Sequence, residues 1–387
     1  FDDVYDISIP RCNVEVQLSN HKHVKLGELL VIEKGTFNTK QADNTGMHPF
    51  YTAGLSNPTN THSDYCFNGE EYVLMVKSGG NAKKKISDDN AIGKVYWVQG
   101  KAGGNTEVIK LTPVNPEQLT MKYLFYALQS LRPKIQEEAK YTTGLGHLDM
   151  TRFKEIEIPL LPIEEQKVLT TKLSTLDNNI ELTKKKIEAD KEYMKILLES
   201  ETMGSEKVRL GNLLQRHTNG KTNSTSVKGT GMYPFYAARA TNPSNMHDSF
   251  DFDGQQYLLF AKSGGNSKSP IGEKLGIGKF WLVEGKSAGN VAMIKFTVQN
   301  PSIVSYEYIN IILHSKLFKI QEMANYTTGN GNISIDELMD MEVPLACSKL
   351  QNSIVTEVGK AIDLFNAMTS QMTSCEKLKH HILNVAL

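Results

Sequence analysis

A pentapeptide that occurs twice constrains this 387-residue chain more than any other feature. Lys77-Ser78-Gly79-Gly80-Asn81 returns as Lys262-Ser263-Gly264-Gly265-Asn266, an offset of 185 residues. The same offset carries Pro49-Phe50-Tyr51 onto Pro234-Phe235-Tyr236 and Ile92-Gly93-Lys94 onto Ile277-Gly278-Lys279. It also carries Tyr141-Thr142-Thr143-Gly144 onto Tyr326-Thr327-Thr328-Gly329. Solenoid units repeat every 20 to 50 residues or so, which makes each copy here a whole domain rather than a stacking element. Two similar but non-identical domains in one polypeptide suit a ligand with two similar halves, and double-stranded DNA is the commonest such ligand. The alternative is a duplication that only enlarged a scaffold.

Each copy has a front part of about 130 residues and a tail. The front parts read as short strands rich in β-branched and aromatic residues, separated by Gly, Asn and Pro. The strands are residues 72–76, 94–98 and 108–111, with counterparts at 257–261, 279–283 and 293–296. One amphipathic helix is expected from about Pro116 to Ala139, with Leu119, Tyr123, Leu124, Ala127, Leu128 and Ile135 on its apolar side. In the first tail, Leu169, Leu173, Leu176, Ile180, Thr183, Ile187, Asp190, Met194 and Leu197 alternate by four and three, a heptad seam. The second tail gives Ile354, Val358, Ala361, Phe365, Met368, Met372, Cys375, Lys379 and Ile382. Thr183 and Asp190 weaken self-pairing of the first seam, while their equivalents Met368 and Cys375 are apolar. The two helices are therefore expected to pair antiparallel within one chain, as a rod of roughly 43 Å at about 1.5 Å per residue.

The expected fold is α+β: two mainly β domains, each followed by a long helix, the helices forming an antiparallel coiled coil with pseudo-twofold symmetry. The boundaries are an N-terminal segment at 1–23, a first domain at 24–160, a first helix at 161–206, a second domain at 207–345 and a second helix at 346–387. With 40% hydrophobic residues, each domain can bury a core. No apolar run approaches the roughly 18 residues of a membrane span and no signal peptide is visible, so a soluble, cytoplasmic protein without membrane partners is expected. Cys12, Cys66, Cys347 and Cys375 form no C-x-x-C pair, and no Cys falls on a Cys in the other copy, which fits free thiols. Lys and Arg number 43, as do Asp and Glu, but the charge is uneven. Residues 24–153 hold 15 basic and 13 acidic side chains, and residues 209–338 hold 13 and 9. So small an excess leaves strong phosphate binding to local clusters or to partner subunits.

Two sequences resemble those of a known family, the DNA-specificity subunits of type I restriction-modification systems. One is the opening Val24-Lys25-Leu26-Gly27-Glu28-Leu29, repeated as Val208-Arg209-Leu210-Gly211-Asn212-Leu213. The other is Ile158-Pro159-Leu160-Leu161-Pro162-Ile163-Glu164-Glu165-Gln166, similar to the family's junction between recognition domain and helix. Its second copy, residues 343–351, keeps only the first proline, Pro344, and the glutamine, Gln351. The resemblance implies that each front domain is a target recognition domain reading half of a split DNA sequence. It implies that the helices space the halves and dock two modification (methyltransferase) subunits and, in the full complex, restriction subunits. S-adenosylmethionine, ATP and Mg would then act in those partners, with no cofactor in this chain.

A search for catalytic chemistry agrees with a non-catalytic chain. Asn57-Pro58-Thr59 and Asn242-Pro243-Ser244 lack the second proline and aromatic of an adenine-gripping loop. Gly220-Lys221-Thr222 ends like a phosphate loop but has Gln215 where the first glycine is needed. No His cluster has metal spacing. Two constellations remain for DNA. In the first, the glycines of Lys77, Ser78, Gly79, Gly80, Asn81 and of Lys262, Ser263, Gly264, Gly265, Asn266 let backbone amides approach phosphate, with Lys and Asn adding charge and a base-type hydrogen-bond pattern. Lys83, Lys84 and Lys85 extend the first copy, and Lys268 alone the second. The second constellation is the polar turn with Tyr141, Thr142, Thr143 and His147, matched by Tyr326, Thr327, Thr328, Asn330 and Asn332. His62 and His247 also repeat and read as structural.

The leading reading is a sequence-reading DNA-binding subunit. A specificity portion of a fused restriction-methylation polypeptide, of which Phe1 to His23 would be the linker end, and a two-headed protein-interaction scaffold without a DNA role are the alternatives. Similar readers related by a twofold axis imply an interrupted, nearly palindromic target, imperfect where the loops differ.

Overall fold

The computed structural model describes residues 21–41, 46–80, 82–142, 144–227, 229–327 and 329–387. The chain divides into two compact units, one made of Phe1–Lys184 with Ser370–Leu387 and one of Lys185–Thr369. Almost all of the expected N-terminal segment, and Cys12 with it, lies outside the described residues.

In the first unit the run Tyr72–Val76 is buried on both faces and lies inside a four-stranded antiparallel sheet. The strand order is Leu30–Lys34, Val108–Pro113, Tyr72–Val76, Val95–Val98. Successive side chains of a strand point to opposite faces. Accordingly Val73 and Met75 pack with Tyr123, Leu124 and Leu128 of the helix Met121–Ser130. Tyr72 and Leu74 join Tyr51, Phe67, Val98 and Val108 in a second cluster on the other side. The second unit repeats this plan with strands Leu214–Asn219, Met293–Val298, Gln256–Ala261 and Phe280–Glu284. Leu258 and Phe260 face the helix Tyr306–Ser315, and Tyr257, Leu259 and Ala261 face Tyr236 and Phe252.

The single helix expected over 116–139 is in fact two, Met121–Ser130 and Arg132–Glu137. The break falls at Leu131, just before Pro133, which has no amide hydrogen to continue the ladder and takes a first-turn position in the second piece. The apolar side survives the break: Leu119, Tyr123, Leu124, Ala127, Leu128 and Ile135 are all buried.

The tails form the helices Ile163–Glu201 and Ser348–Ala386. Within the first unit, Leu169 and Leu173 share a core cluster with Ile382 and Leu383, and Leu176 and Leu378 pack against it. Lys379 sits in this seam as a cation, bonded to Asp177 at 2.6 Å and lying 5.5 Å from the centre of the Tyr126 ring, while the Tyr126 hydroxyl donates to Asp177 at 2.9 Å. Within the second unit, Met194 and Leu198 pack against the cluster that holds Ile354 and Val358. No helix among the described residues is long and apolar enough to cross a membrane.

Each junction into a long helix is fastened by one buried glutamine. The Gln166 side chain, fully buried, accepts from the Thr120 amide at 2.8 Å and donates to the carbonyls of Gln118 and Leu161, both at 2.8 Å. Gln351 does the same with the Ser305 amide at 3.0 Å and the carbonyls of Ile303 and Ala346 at 2.7 and 2.8 Å. The residues around Gln351 depart from the first junction, yet the fastening is the same. Tyrosine hydroxyls add a second tie: Tyr123 to the Pro159 carbonyl at 2.5 Å and Tyr308 to that of Pro344 at 3.0 Å.

Candidate nucleic-acid interface

The two loop constellations read from the sequence meet in one small sheet. Ser78–Gly79 pairs antiparallel with Gly146–Leu148, which pairs with Ala139–Tyr141. The register places His147 opposite Ser78 and Gly146 opposite Gly79. The second unit builds the same sheet, with Asn332 opposite Ser263 and Gly331 opposite Gly264, and with Ala324–Asn325 as the outer strand. His147 and Asn332, both exposed, thus occupy one structural position on two different side chains.

Glycines are required for this closeness. Gly80 and Gly265 have φ of 71° and 76°, the left-handed region that side chains other than glycine disfavour. Gly146 and Gly331 lie under the rings of Tyr141 and Tyr326, where an added Cβ would come within 2.6 and 2.7 Å of ring atoms.

The side chains of the first loop are unequally available. Ser78 is fully buried, and its hydroxyl donates to the Glu107 carboxylate and lies 3.0 Å from His147 Nδ1. Lys77 is mostly buried and ion-paired to Glu107 at 3.4 Å, so it is not a free cation awaiting phosphate. Burial alone pushes the Glu107 carboxyl up, but the Ser78 hydrogen bond, Lys77 and His147 together hold it below the usual carboxylate range. Lys83, Lys84 and Lys85 are exposed, with Lys84 3.9 Å from Asp89 and Lys85 5.7 Å from the centre of the Tyr141 ring. Thr142 is exposed, and the Tyr141 hydroxyl accepts from the Asn90 amide at 2.8 Å. Asn81, Thr143 and Thr328, singled out from the sequence, lie outside the described residues.

In the second unit the position of Glu107 is taken by Ala292, and no ion pair engages Lys262 among the described residues. Asn266, Lys268, Thr327 and Asn330 are exposed, while Ser263, Gly264, Gly265 and Tyr326 are half-buried. The Tyr326 hydroxyl donates to the Pro270 carbonyl at 3.0 Å, so both tyrosines fasten a neighbouring loop rather than reach outward.

Sequence reasoning missed the groups that hold these loops. Gln136, nearly fully buried, accepts from the Ser87 amide at 3.0 Å and donates to the carbonyls of Ser87, Asn90 and Ile92. Gln321 likewise bridges the Gly272 amide and the carbonyls of Gly272 and Ile277. The shared tetrapeptide Lys134-Ile135-Gln136-Glu137 and Lys319-Ile320-Gln321-Glu322 was the available signal. A second repeated feature also escaped: Lys101 lies 4.3 Å from the Tyr65 ring centre and Lys286 lies 4.4 Å from that of Phe250, with His48 and Tyr233 edge-on to the same two rings. His62 and His247 are structural, each bonding backbone two residues on. Asn57 and Asn242 precede cis prolines and tie their own turns at Thr52 and Ala237. Among the described residues no group of three His, Cys, Asp or Glu side chains is placed to hold a metal ion.

What the two units share is a small, glycine-built sheet beside exposed polar and basic side chains, present in each unit of a chain that also carries two long helices. Residues 19–189 match the family model described as the type I restriction modification DNA specificity domain. The chain is 25% identical over 343 residues to the type I restriction enzyme MjaVIII specificity subunit of Methanocaldococcus jannaschii, covering 79% of this chain and 80% of that protein. It is 24% identical over 355 residues to the putative MjaX specificity subunit of the same organism, covering 82% and 79%. In fold it is similar to the S subunit of a type I restriction-modification system from M. genitalium, at 15% identity, 96% and 98% coverage and a TM-score of 0.67. The chain is similar in sequence to the DNA-specificity subunits of type I restriction-modification systems.

Proposed function

We propose that each repeat reads one half of a split duplex DNA target through the small sheet that joins its two glycine-rich loops. The observation that carries this reading is the sheet itself: segments about 70 residues apart in sequence are hydrogen-bonded in the same register in both units. Glycines hold the backbone close enough for amides to meet phosphate, and the exposed polar residues at the variable positions, His147 in one copy and Asn332 in the other, are of the type that meets base edges. The chain acts without catalysis of its own. Methylation and cleavage, with S-adenosylmethionine, ATP and Mg, belong to two modification subunits and to restriction subunits that dock on it in the cytoplasm. Binding of the full chain to random duplex DNA should weaken as salt rises, because phosphate contacts release counterions. Salt-independent binding, or none, would remove the DNA reading and leave the scaffold alternative.

The finer architecture we propose is an antiparallel pairing of the two long helices, with the two repeats related by a pseudo-twofold axis. The ion pair of Asp177 with Lys379 and the shared burial of Leu173 with Ile382 support it. With the native cysteines replaced, Asp177→Cys with Lys379→Cys should give a crosslinked monomer on treatment with a short bifunctional maleimide. Crosslinked dimers alone would show that the helices pair between chains.

A further inference from the structure

The asymmetry at Glu107 assigns a residue to base reading that the repeat itself hides. The turn that carries Glu107 does not need it. In the first unit Asn105 accepts from the Glu107 amide at 3.1 Å, and in the second Asn290 accepts from the Ala292 amide at 3.2 Å, so alanine makes the same turn. Nor does the small sheet need it, since Ser263–Gly264 pairs with Gly331 and Asn332 although Ala292 stands at the position equivalent to Glu107. Yet the first unit holds this carboxylate in place from three sides, with the Ser78 hydroxyl, the Lys77 ammonium at 3.4 Å and His147 Nδ1 at 3.8 Å all directed at Oε2. Among the described residues Oε1 has only a long contact, 3.5 Å, from the Thr106 hydroxyl. The side chain retains 30% of its exposure. The result is an immobilised acceptor whose second oxygen, among the described residues, meets no partner but that hydroxyl.

We propose that Glu107 is a specificity-determining residue of the first repeat, its Oε1 accepting a hydrogen bond from the exocyclic amino group of a cytosine in the half-site that repeat reads. The chemistry selects among bases. In the major groove cytosine offers its N4 amino group, guanine offers two acceptors, and thymine an acceptor and a methyl group. Adenine offers an amino group next to the N7 acceptor, which a carboxylate repels. Cytosine is therefore the base that meets a carboxylate with a donor and without an adjacent acceptor. Where the first unit has this acceptor, the second has the methyl group of Ala292, so the half-sites differ at this position. The inference rests on the DNA-reading function proposed above and adds one base contact to it.

The test is selection of bound sequences from a randomised duplex library, using the full chain with any subunits that copurify. Wild type should show a cytosine at one position of one half-site, preferred by about tenfold or more, the scale of a good base contact. Glu107→Ala should lose that preference and leave the other half-site unchanged. Glu107→Gln adds a donor beside the acceptor, the pattern that meets adenine, and should move the preference from cytosine toward adenine. Melting curves of the two variants against wild type separate a loss of fold from a loss of reading. An unchanged motif in both folded variants overturns the assignment of Glu107 while leaving the DNA-reading function intact. A wild-type chain that selects no sequence overturns that function itself.

Discussion

Gln166→Leu is expected to destabilise the first unit by about 2–4 kcal/mol, and Gln351→Leu the second by a similar amount. Leucine fills much the same volume but leaves one backbone amide and two carbonyls without the partners that glutamine supplies. A buried polar group left unsatisfied costs about 1–3 kcal/mol. Part of that cost is recovered where water reaches the carbonyl of Gln118, an exposed residue. Urea denaturation measures the effect as a shift in the midpoint of the affected unit. Glu165→Ala, one residue away and 57% exposed at its side chain, serves as the control and should stay within about 0.5 kcal/mol of wild type. A Gln166→Leu chain as stable as that control would mean that the junction is held by packing alone.

Lys262→Glu is expected to weaken binding to duplex DNA by roughly ten- to a hundredfold near 0.1 M salt and to flatten the salt dependence by about one unit or more, the slope of one lost phosphate contact. Lys262 has no ion-pair partner among the described residues, so its charge is uncommitted. Lys77 stands at the equivalent position but is bound to Glu107, and Lys77→Ala should change the slope by well under one unit. Binding isotherms at several salt concentrations measure both. Equal slopes for wild type and Lys262→Glu would place the second loop away from DNA.

Much of this arrangement is legible in the sequence because it rests on short-range rules. Alternating β-branched and aromatic residues mark the central strands, and four-three spacing marks the long helices. The paired glycines mark both loops of each small sheet. The sequence does not reveal how those loops meet, because the pairing of Ser78 with His147 spans 69 residues and leaves no local trace. The break at Leu131 is hidden for a different reason: the apolar spacing runs through it, from Leu128 to Ile135, and only Pro133 signals the interruption. Lys77 reads as a phosphate contact until Glu107, thirty residues on, is found beside it. Glu107 itself is invisible to reasoning from the repeat, which raises what the copies share and passes over a carboxylate whose counterpart is alanine.

The placement of residues 370–387 in the first unit reverses the order in which the chain can mature during synthesis. The unit formed by residues 185–369 is continuous, so all of its contacts are available once that stretch has left the ribosome. The unit that begins earlier in this sequence has to wait, because Leu169 and Leu173 find Ile382 and Leu383 only when residues 370–387 emerge. At roughly 5–20 residues per second, that delay is on the order of ten to forty seconds. During it, half of an apolar seam stands open to chaperones or to another nascent chain. A stop codon at position 370 would accordingly injure the unit built mainly from the residues before 185.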